Sequence, residues 1–275
     1  MSFSRESITT PTRLTGPFYT KSTLADDLRE LGVRAGDTLL VHSSLKAHGW
    51  VCGGAEAVVL ALLDVLGDTG TLVVPTFTAG NSEPSEWSRP PISEDWWPVI
   101  RSDLPAYDPR TSRTRAMGVI AETVRTWPGA LRSAHPQTSF AAVGPNAKHI
   151  TDGHAWECRL GEQSPLARLE ELKAKVLLLG VGFARCTSFH LAQYRIPMPM
   201  ESNSFAVMTE KGREWKTVQD TDIPDDAFTE LGADFEQANT VLRGKVGSAE
   251  TRLFEISDAV AYAQKWLLEH RASAN

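Results

Sequence analysis

Four consecutive apolar residues, Val176 to Leu179, stand between Lys175 and the glycines Gly180 and Gly182. So short a run, with no polar alternation, suits a strand buried on both faces. Beyond the glycines, Thr187 or Ser188 can cap a helix carrying Phe189, His190, Ala192 and Tyr194. A strand that ends in glycines and feeds a helix puts its loop at the carboxyl edge of a parallel sheet, where α/β folds hold ligands. His190 falls in the first turn of that helix, with Cys186 one turn before it. A histidine there fits either a hydrogen-bonded core residue or a proton acceptor, and the stretch alone does not choose. Cys186 fits a small buried apolar residue better than the nucleophile of a Cys–His pair.

A second unit of the same kind comes earlier. Leu24, Leu28 and Leu31 have helical spacing and Gly32 ends their helix; Asp37 to His42 (DTLLVH) is a buried strand. The loop SSLKAHGWVCGG follows, then an apolar helix from about Ala55 to Leu66 and a strand, TLVVP. This βαβ arrangement predicts two parallel strands, with residues 43–54 at the same sheet edge as Gly180. Residues 79–110 hold six prolines and Trp87, Trp96 and Trp97 in a polar run, and are expected to form a long ordered loop. Its rings either pin the loop to the body or, beside Glu83, Glu86, Glu94 and Asp95, wall a cleft for a cation. Helices are expected at about 118–127, after Pro145, after Ser164, and near 225–239 and 257–270. Strands are expected at 139–143 and in ETRLFEI, and a hairpin around Glu210-Lys211-Gly212.

The composition narrows the function classes. With 41% hydrophobic and 23% charged residues, 275 residues suffice for one large core. A net charge of −6 argues against a nucleic-acid partner and permits a cationic substrate. No apolar run reaches the roughly 18 residues of a membrane span, and the first residues lack the apolar core of a signal peptide. Cys52, Cys158 and Cys186 are scattered without CxxC spacing, so a reducing cytoplasm is the expected location and neither disulfides nor zinc are indicated. His42, His135 and His190 form no HxH or HxxxH pair, and no metal is expected. Walker, GxGxxG and GxSxG patterns are missing from the sequence. Four loops rich in hydroxyls, glycines and arginines (HSSLKAHGWVCGG, TSRTRAMG, HPQTSF and GFARCTSFH) are expected to converge on one edge, an inventory suited to a phosphate-bearing cofactor.

Five segments in order and spacing, LGVRAGDTLLVHSSLKAHGWVCGG, TSRTRAMG, SAHPQTSFAAVGP, LGEQSPLARL and LLLGVGFARCTSFHLAQYR, resemble the aminoglycoside 3-N-acetyltransferase family of antibiotic acetyltransferases. The resemblance runs from about Thr23 to Leu268 and is greatest to its bacillar, YokD-like branch. It implies a three-layer α/β/α fold with a mostly parallel central sheet, unrelated to the GNAT acyltransferases. It also implies an N-terminal arm (1–20) and a single domain (21–275) in which about 200–250 form a small C-terminal α+β lobe on the acceptor side. The implied activity is transfer of acetyl from acetyl-CoA, as co-substrate, to the 3-amino group of the 2-deoxystreptamine ring of aminoglycosides. His190 would be the general base of a direct ternary-complex mechanism, with Asp220 as a further active-site carboxylate. Ser43, Ser44, Leu45, Thr111, Arg115, Ser139 and Phe140 would contact the coenzyme; Trp96, Trp97, Gln193 and Glu201 would contact the acceptor. The family motif continues from its histidine to a glutamate three residues on; here that position is Gln193. The alternatives are an acetyltransferase for another amine without a resistance role, or a silent coenzyme A-binding protein. A soluble monomer or homodimer is expected, with no membrane or nucleic-acid partner.

Overall fold

The apolar runs do form the central strands. The structure, a computed structural model, describes residues 15–272. In chain order its elements are β1 (Phe18–Tyr19), α1 (Lys21–Leu31), β2 (Thr38–Ser43), β3 (Trp50–Val51), α2 (Gly54–Leu66), β4 (Thr71–Pro75), α3 (Trp97–Asp103) and α4 (Gly118–Arg125). Then come β5 (Leu131–Arg132), β6 (Phe140–Val143), α5 (Ala147–Thr151), α6 (Pro165–Glu171), β7 (Lys175–Leu179) and α7 (Ser188–Gln193). The chain ends with β8 (Met200–Thr209), β9 (Gly212–Thr221), α8 (Phe228–Ala238), β10 (Leu242–Val246), β11 (Ala249–Glu255) and α9 (Ile256–Ala272).

Seven strands make the main sheet, in the order β10-β11-β7-β2-β4-β6-β5. The expectation of a mostly parallel sheet is corrected here. Only β7, β2 and β4 run parallel; β6 is antiparallel to β4, β5 to β6, β11 to β7 and β10 to β11. The reason lies in the connections. A parallel neighbour needs a crossover that returns the chain to the opposite edge of the sheet, as α2 does between β2 and β4. From β4 to β6 the chain instead traverses residues 76–139 and re-enters from the same edge at which β4 ends. Successive residues of the central strands alternate between two apolar clusters. Leu40, Val73, Ala142, Val176 and Leu178 pack with residues of α5 to α9, whereas Leu39, Val41, Leu72, Leu177 and Leu179 pack with residues of α1, α2 and α4. Burial on both faces is what removed the polar alternation from these strands.

Of residues 1–20, those before 15 lie outside the described residues. Phe18 and Tyr19, in the expected arm, pair in parallel with Trp50 and Val51. Residues 200–250 do not make a unit by strand pairing: β8 and β9 form their own two-stranded sheet, while β10 joins the main one. The hairpin is longer than expected, with ten residues in each strand. The proline- and tryptophan-rich segment contains a helix, α3, and docks on β8 through Asn81. That amide donates to Ala206 O at 2.9 Å and accepts from Ala206 N at 2.8 Å, in the manner of a neighbouring strand.

Gly232 of α8 sits against Phe183, in the turn between β7 and α7. A Cβ added to Gly232 would lie 2.1 Å from Phe183 Cβ. Gly232→Ala is therefore expected to destabilise the protein by about 1–3 kcal/mol through overpacking. Gly182→Ala meets nothing within 4 Å and should stay within about 0.5 kcal/mol of the parent; urea midpoints of the two variants check the contrast.

Candidate active site

β2 and β7 are paired in register, His42 opposite Leu178 and Ser43 opposite Leu179, so both strands end at one level. The Ser44 amide donates to Leu179 O at 3.0 Å and extends that pairing into the loop. A short 3₁₀ turn, Leu45–His48, follows β2, and another, Phe183–Arg185, follows β7. Gly180 has φ +73, and a Cβ there would lie 2.4 Å from Ala47 Cβ, so the two turns can meet only over a glycine. Between them opens a cavity of about 610 Å³. Its lining comes from His42 to Lys46, Pro75 and Phe77, residues 116–119 and 121, Val181, residues 184–187, His190, Asp225 and Phe228.

His190 is 9% exposed, and its ring centroid lies 4.7 Å from that of Phe228. Its Nδ1 is 2.8 Å from Gln193 Oε1, and Gln193 Nε2 donates to Pro224 O at 2.6 Å. Burial lowers the imidazole to about 4, against an upward pull from the Gln193 hydrogen bond and Asp225; Arg159 adds to the lowering. A second imidazole, His42, lines the same cavity, with Nε2 3.3 Å from Thr187 Oγ1. Burial, and then proximity to His190, bring it to about 3. Cys186 also faces the cavity, but burial pushes its thiol up to about 12. Its Sγ is 3.0 Å from Ser188 Oγ. Such a group is a thiol at any physiological pH and a poor nucleophile.

The other expected residues divide sharply. Ser43, Ser44 and Leu45 line the cavity with His190. Arg115 lines a separate, smaller one of about 240 Å³, while Thr111 is exposed and lines neither. Ser139 and Phe140 lie wholly inside the protein. Ser139 Oγ donates to Thr76 O at 2.9 Å, and Phe140 packs edge-on against Phe77. Trp96 is 60% exposed and Trp97 half-buried, and neither reaches the cavity. The Arg101 guanidinium lies over the Trp97 ring and chelates Glu83, which ties this segment down. Asp220 is 1% exposed and does not line the cavity. Its Oδ2 accepts from Arg159 N and Nε at 2.9 and 3.0 Å, and its Oδ1 accepts from Tyr194 Oη and Thr221 N at 2.8 and 2.7 Å. Glu201 pairs with the same Arg159. Among the described residues no group of three or more His, Cys, Asp or Glu could hold a metal ion, and no helix is long and apolar enough to cross a membrane.

Three cavity residues escaped the sequence reading. Lys46 and Arg185 are exposed cations on the two turns, and Asp225 is an exposed carboxylate near His190. The cations were in plain view within HSSLK and GFARC; Asp225 had no local signal beyond its place in a run of acids.

The sequence profile described as aminoglycoside 3-N-acetyltransferase matches residues 40–268. The chain belongs to the aminoglycoside 3-N-acetyltransferase family. It is 44% identical over 253 residues to the SPbeta prophage-derived aminoglycoside N(3')-acetyltransferase-like protein YokD of Bacillus subtilis (strain 168), covering 91% of this chain and 93% of that one. Identity to the aminoglycoside N(3)-acetyltransferase VII of Streptomyces paromomycinus is 36% over 274 residues, covering 94% of each. The crystal structure of the YokD protein superposes with a TM-score of 0.92 at 42% identity, over 94% of this chain and 96% of that one. A structure of AAC-IIIb in binary complex with CoASH gives 0.82 at 29% identity, over 92% and 98%.

Five histidines, His42, His48, His135, His154 and His190, are buried and held below their ordinary value of 6.5, with burial the largest cause in each. A folded-state value below the unfolded one means that the unfolded chain binds more protons. Stability is then full above pH 6.5 and declines as the pH falls toward the folded values, about 3 for His42 and His154 and about 4 for His190. Each histidine should remove up to about 1.4 kcal/mol per pH unit in that window. Urea unfolding from pH 7 to pH 4 is expected to show a steep loss that His154→Gln, which cannot be protonated, makes shallower.

Proposed function

We propose that this chain transfers the acetyl group of acetyl-CoA to a primary amine, with His190 as the general base and the 3-amino group of an aminoglycoside as the acceptor. The observation that carries the reading is a neutral imidazole in the large cavity beside a cysteine that burial keeps protonated. The cavity suits the coenzyme in size and lining. Apolar walls from Phe77, Val181 and Phe228 can take the pantetheine arm, and Lys46 and Arg185 supply cations for phosphates. In this reading Ser43, Ser44 and Leu45 are coenzyme contacts, while Arg115 serves an outlying part of the nucleotide. Ser139 and Phe140 support the wall from behind.

His190 takes a proton from the amine as its nitrogen bonds to the thioester carbonyl carbon. The C–S bond breaks and the sulfur leaves as thiolate, to be protonated to the free thiol. The Ser44 amide is committed to Leu179 O, so the Leu45 amide is the donor suited to the negative charge developing on the carbonyl oxygen. With Cys186 a thiol, transfer is direct and passes through no acyl-enzyme. Asp220 acts by position: it fixes Arg159 and Tyr194 and takes no proton.

The acceptor side is read as the flank of the cavity toward the β8–β9 hairpin and α8, in a three-layer α/β/α arrangement. Burial, Glu201 and Glu83 together raise the Glu86 carboxyl above its ordinary value. Crowded like charges of this kind are relieved by a polycation.

His190→Ala is expected to lower kcat by about 10²- to 10⁴-fold with little change in acetyl-CoA binding. Cys186→Ala should keep most activity, with no acetylated enzyme accumulating in the absence of acceptor. Thiol-release kinetics over a panel of aminoglycosides and simple amines, with mass spectrometry of the enzyme, provide the test. Unimpaired turnover in His190→Ala, or a transfer-competent acetyl-Cys186, overturns the mechanism. Turnover with simple amines alone overturns the acceptor.

A further inference from the structure

We infer that Gln193 is a positioning residue that locks His190 in the Nδ1–H tautomer and ties it to the acceptor-side segment 222–228. The inference rests on the reading of His190 as the base and adds which ring nitrogen does the work and what holds it.

The argument is one of hydrogen-bond polarity. Pro224 O can only accept, so the Gln193 atom 2.6 Å from it must be the amide nitrogen. That fixes the other end of the amide, and Oε1 is the atom 2.8 Å from His190 Nδ1. A carbonyl oxygen cannot donate, so the ring proton sits on Nδ1 and the lone pair on Nε2. Gln193 is 2% exposed and His190 9%, so both side chains are largely withdrawn from solvent. A carboxamide is suited to this place because it accepts from an N–H on one side and donates to a carbonyl on the other. A carboxylate would still accept from Nδ1 but would set an oxygen against Pro224 O. A leucine would do neither.

The clamp also joins two parts of the site. Gln193 ends α7, which carries the base, whereas Pro224 precedes Asp225 and Phe228, both on the cavity wall. The charged and titratable groups around His190 come from separate elements: His42 from β2, Arg159 from the segment before α6, Asp225 from the segment before α8, and Cys186 from the turn before α7. Of these Asp225 is the anion, so the charge that balances a protonated His190 stands across the cavity on the segment that Gln193 holds. The neutral amide itself contributes orientation without holding a proton on the base.

The test combines spectroscopy of the unaltered protein with two variants. Ring ¹⁵N NMR of the ¹⁵N-histidine-labelled protein at neutral pH, with His190 assigned by its loss in His190→Asn, should show a protonated Nδ1 and an unprotonated Nε2. Gln193→Leu should mix the tautomers, lower kcat by about 10-fold or more, and raise the KM of the acceptor while leaving that of acetyl-CoA unchanged. Gln193→Glu should restore the Nδ1–H tautomer and recover kcat relative to the leucine variant. Its imidazolium midpoint should rise by about one unit or more, adding an acid limb to the pH–rate profile, and its acceptor KM should stay raised because Pro224 is still unpartnered. An Nε2–H tautomer in the unaltered protein overturns the inference, as does a leucine variant with unchanged kcat, acceptor KM and tautomer. If His190→Ala retains full turnover, the reading of the base fails, and the NMR result still decides the clamp independently.

Discussion

The parallel pairing of β2 with β7 is the constraint on which the rest depends. Because His42 faces Leu178 and Ser43 faces Leu179, the two strands release their loops at the same height. Their turns then compete for one space, and Gly180 settles the competition by offering no side chain to Ala47. The cavity is what remains between two turns held that close but not allowed to merge. Everything chemical in it, from the Leu45 amide to His190, is placed by backbone geometry before any side chain makes a specific bond. The parallel strands β7 and β2 thus do the positioning, and the antiparallel strands β6, β5, β11 and β10 extend the sheet on either side.

Burial then decides the electrostatics. The helix dipole does little for His190, since α7 has only six residues and Thr187 makes no side-chain cap bond. Desolvation is the larger effect, and it acts alike on His42 and Cys186. The same low polarity makes isolated charge costly, which explains the arrangement at Arg159. Its guanidinium enters the interior only with Asp220, Glu201 and the Thr221 carbonyl as partners. Asp220 in turn has a donor for every direction its oxygens face. A carboxylate so fully engaged holds Arg159, Tyr194 and the Thr221 amide in fixed relation to one another.

The strands and most helices were legible because burial writes itself into short apolar runs and helical leucine spacing. Strand direction was not: LVVP and FAAV look the same whichever way they run, and only the route of residues 76–139 makes β6 antiparallel to β4. β10 (LRGKV) was missed because four of its five residues are exposed, leaving no apolar pattern to see. At the site, Ser43, Ser44, Leu45 and His190 share one cavity. Tryptophan and aspartate suit a cationic acceptor, yet Trp97 is occupied by Arg101 and Asp220 by Arg159. Which partner a polar group takes is a long-range fact, set by contacts such as the 61 residues between Arg159 and Asp220.

Gln193 shows how such a long-range partner changes the meaning of a substitution. Read along the chain, an amide in place of a glutamate is a lost charge beside the base. In the fold, Pro224 brings a carbonyl to the same amide, and the residue becomes a link between an N–H donor on His190 and a carbonyl acceptor on Pro224. A carboxylate still stands nearby, since Asp225 follows Pro224 directly and lines the same cavity. Such an arrangement orients the His190 ring through a neutral group and ties the end of α7 to Pro224, and through it to Asp225 and Phe228 on the cavity wall.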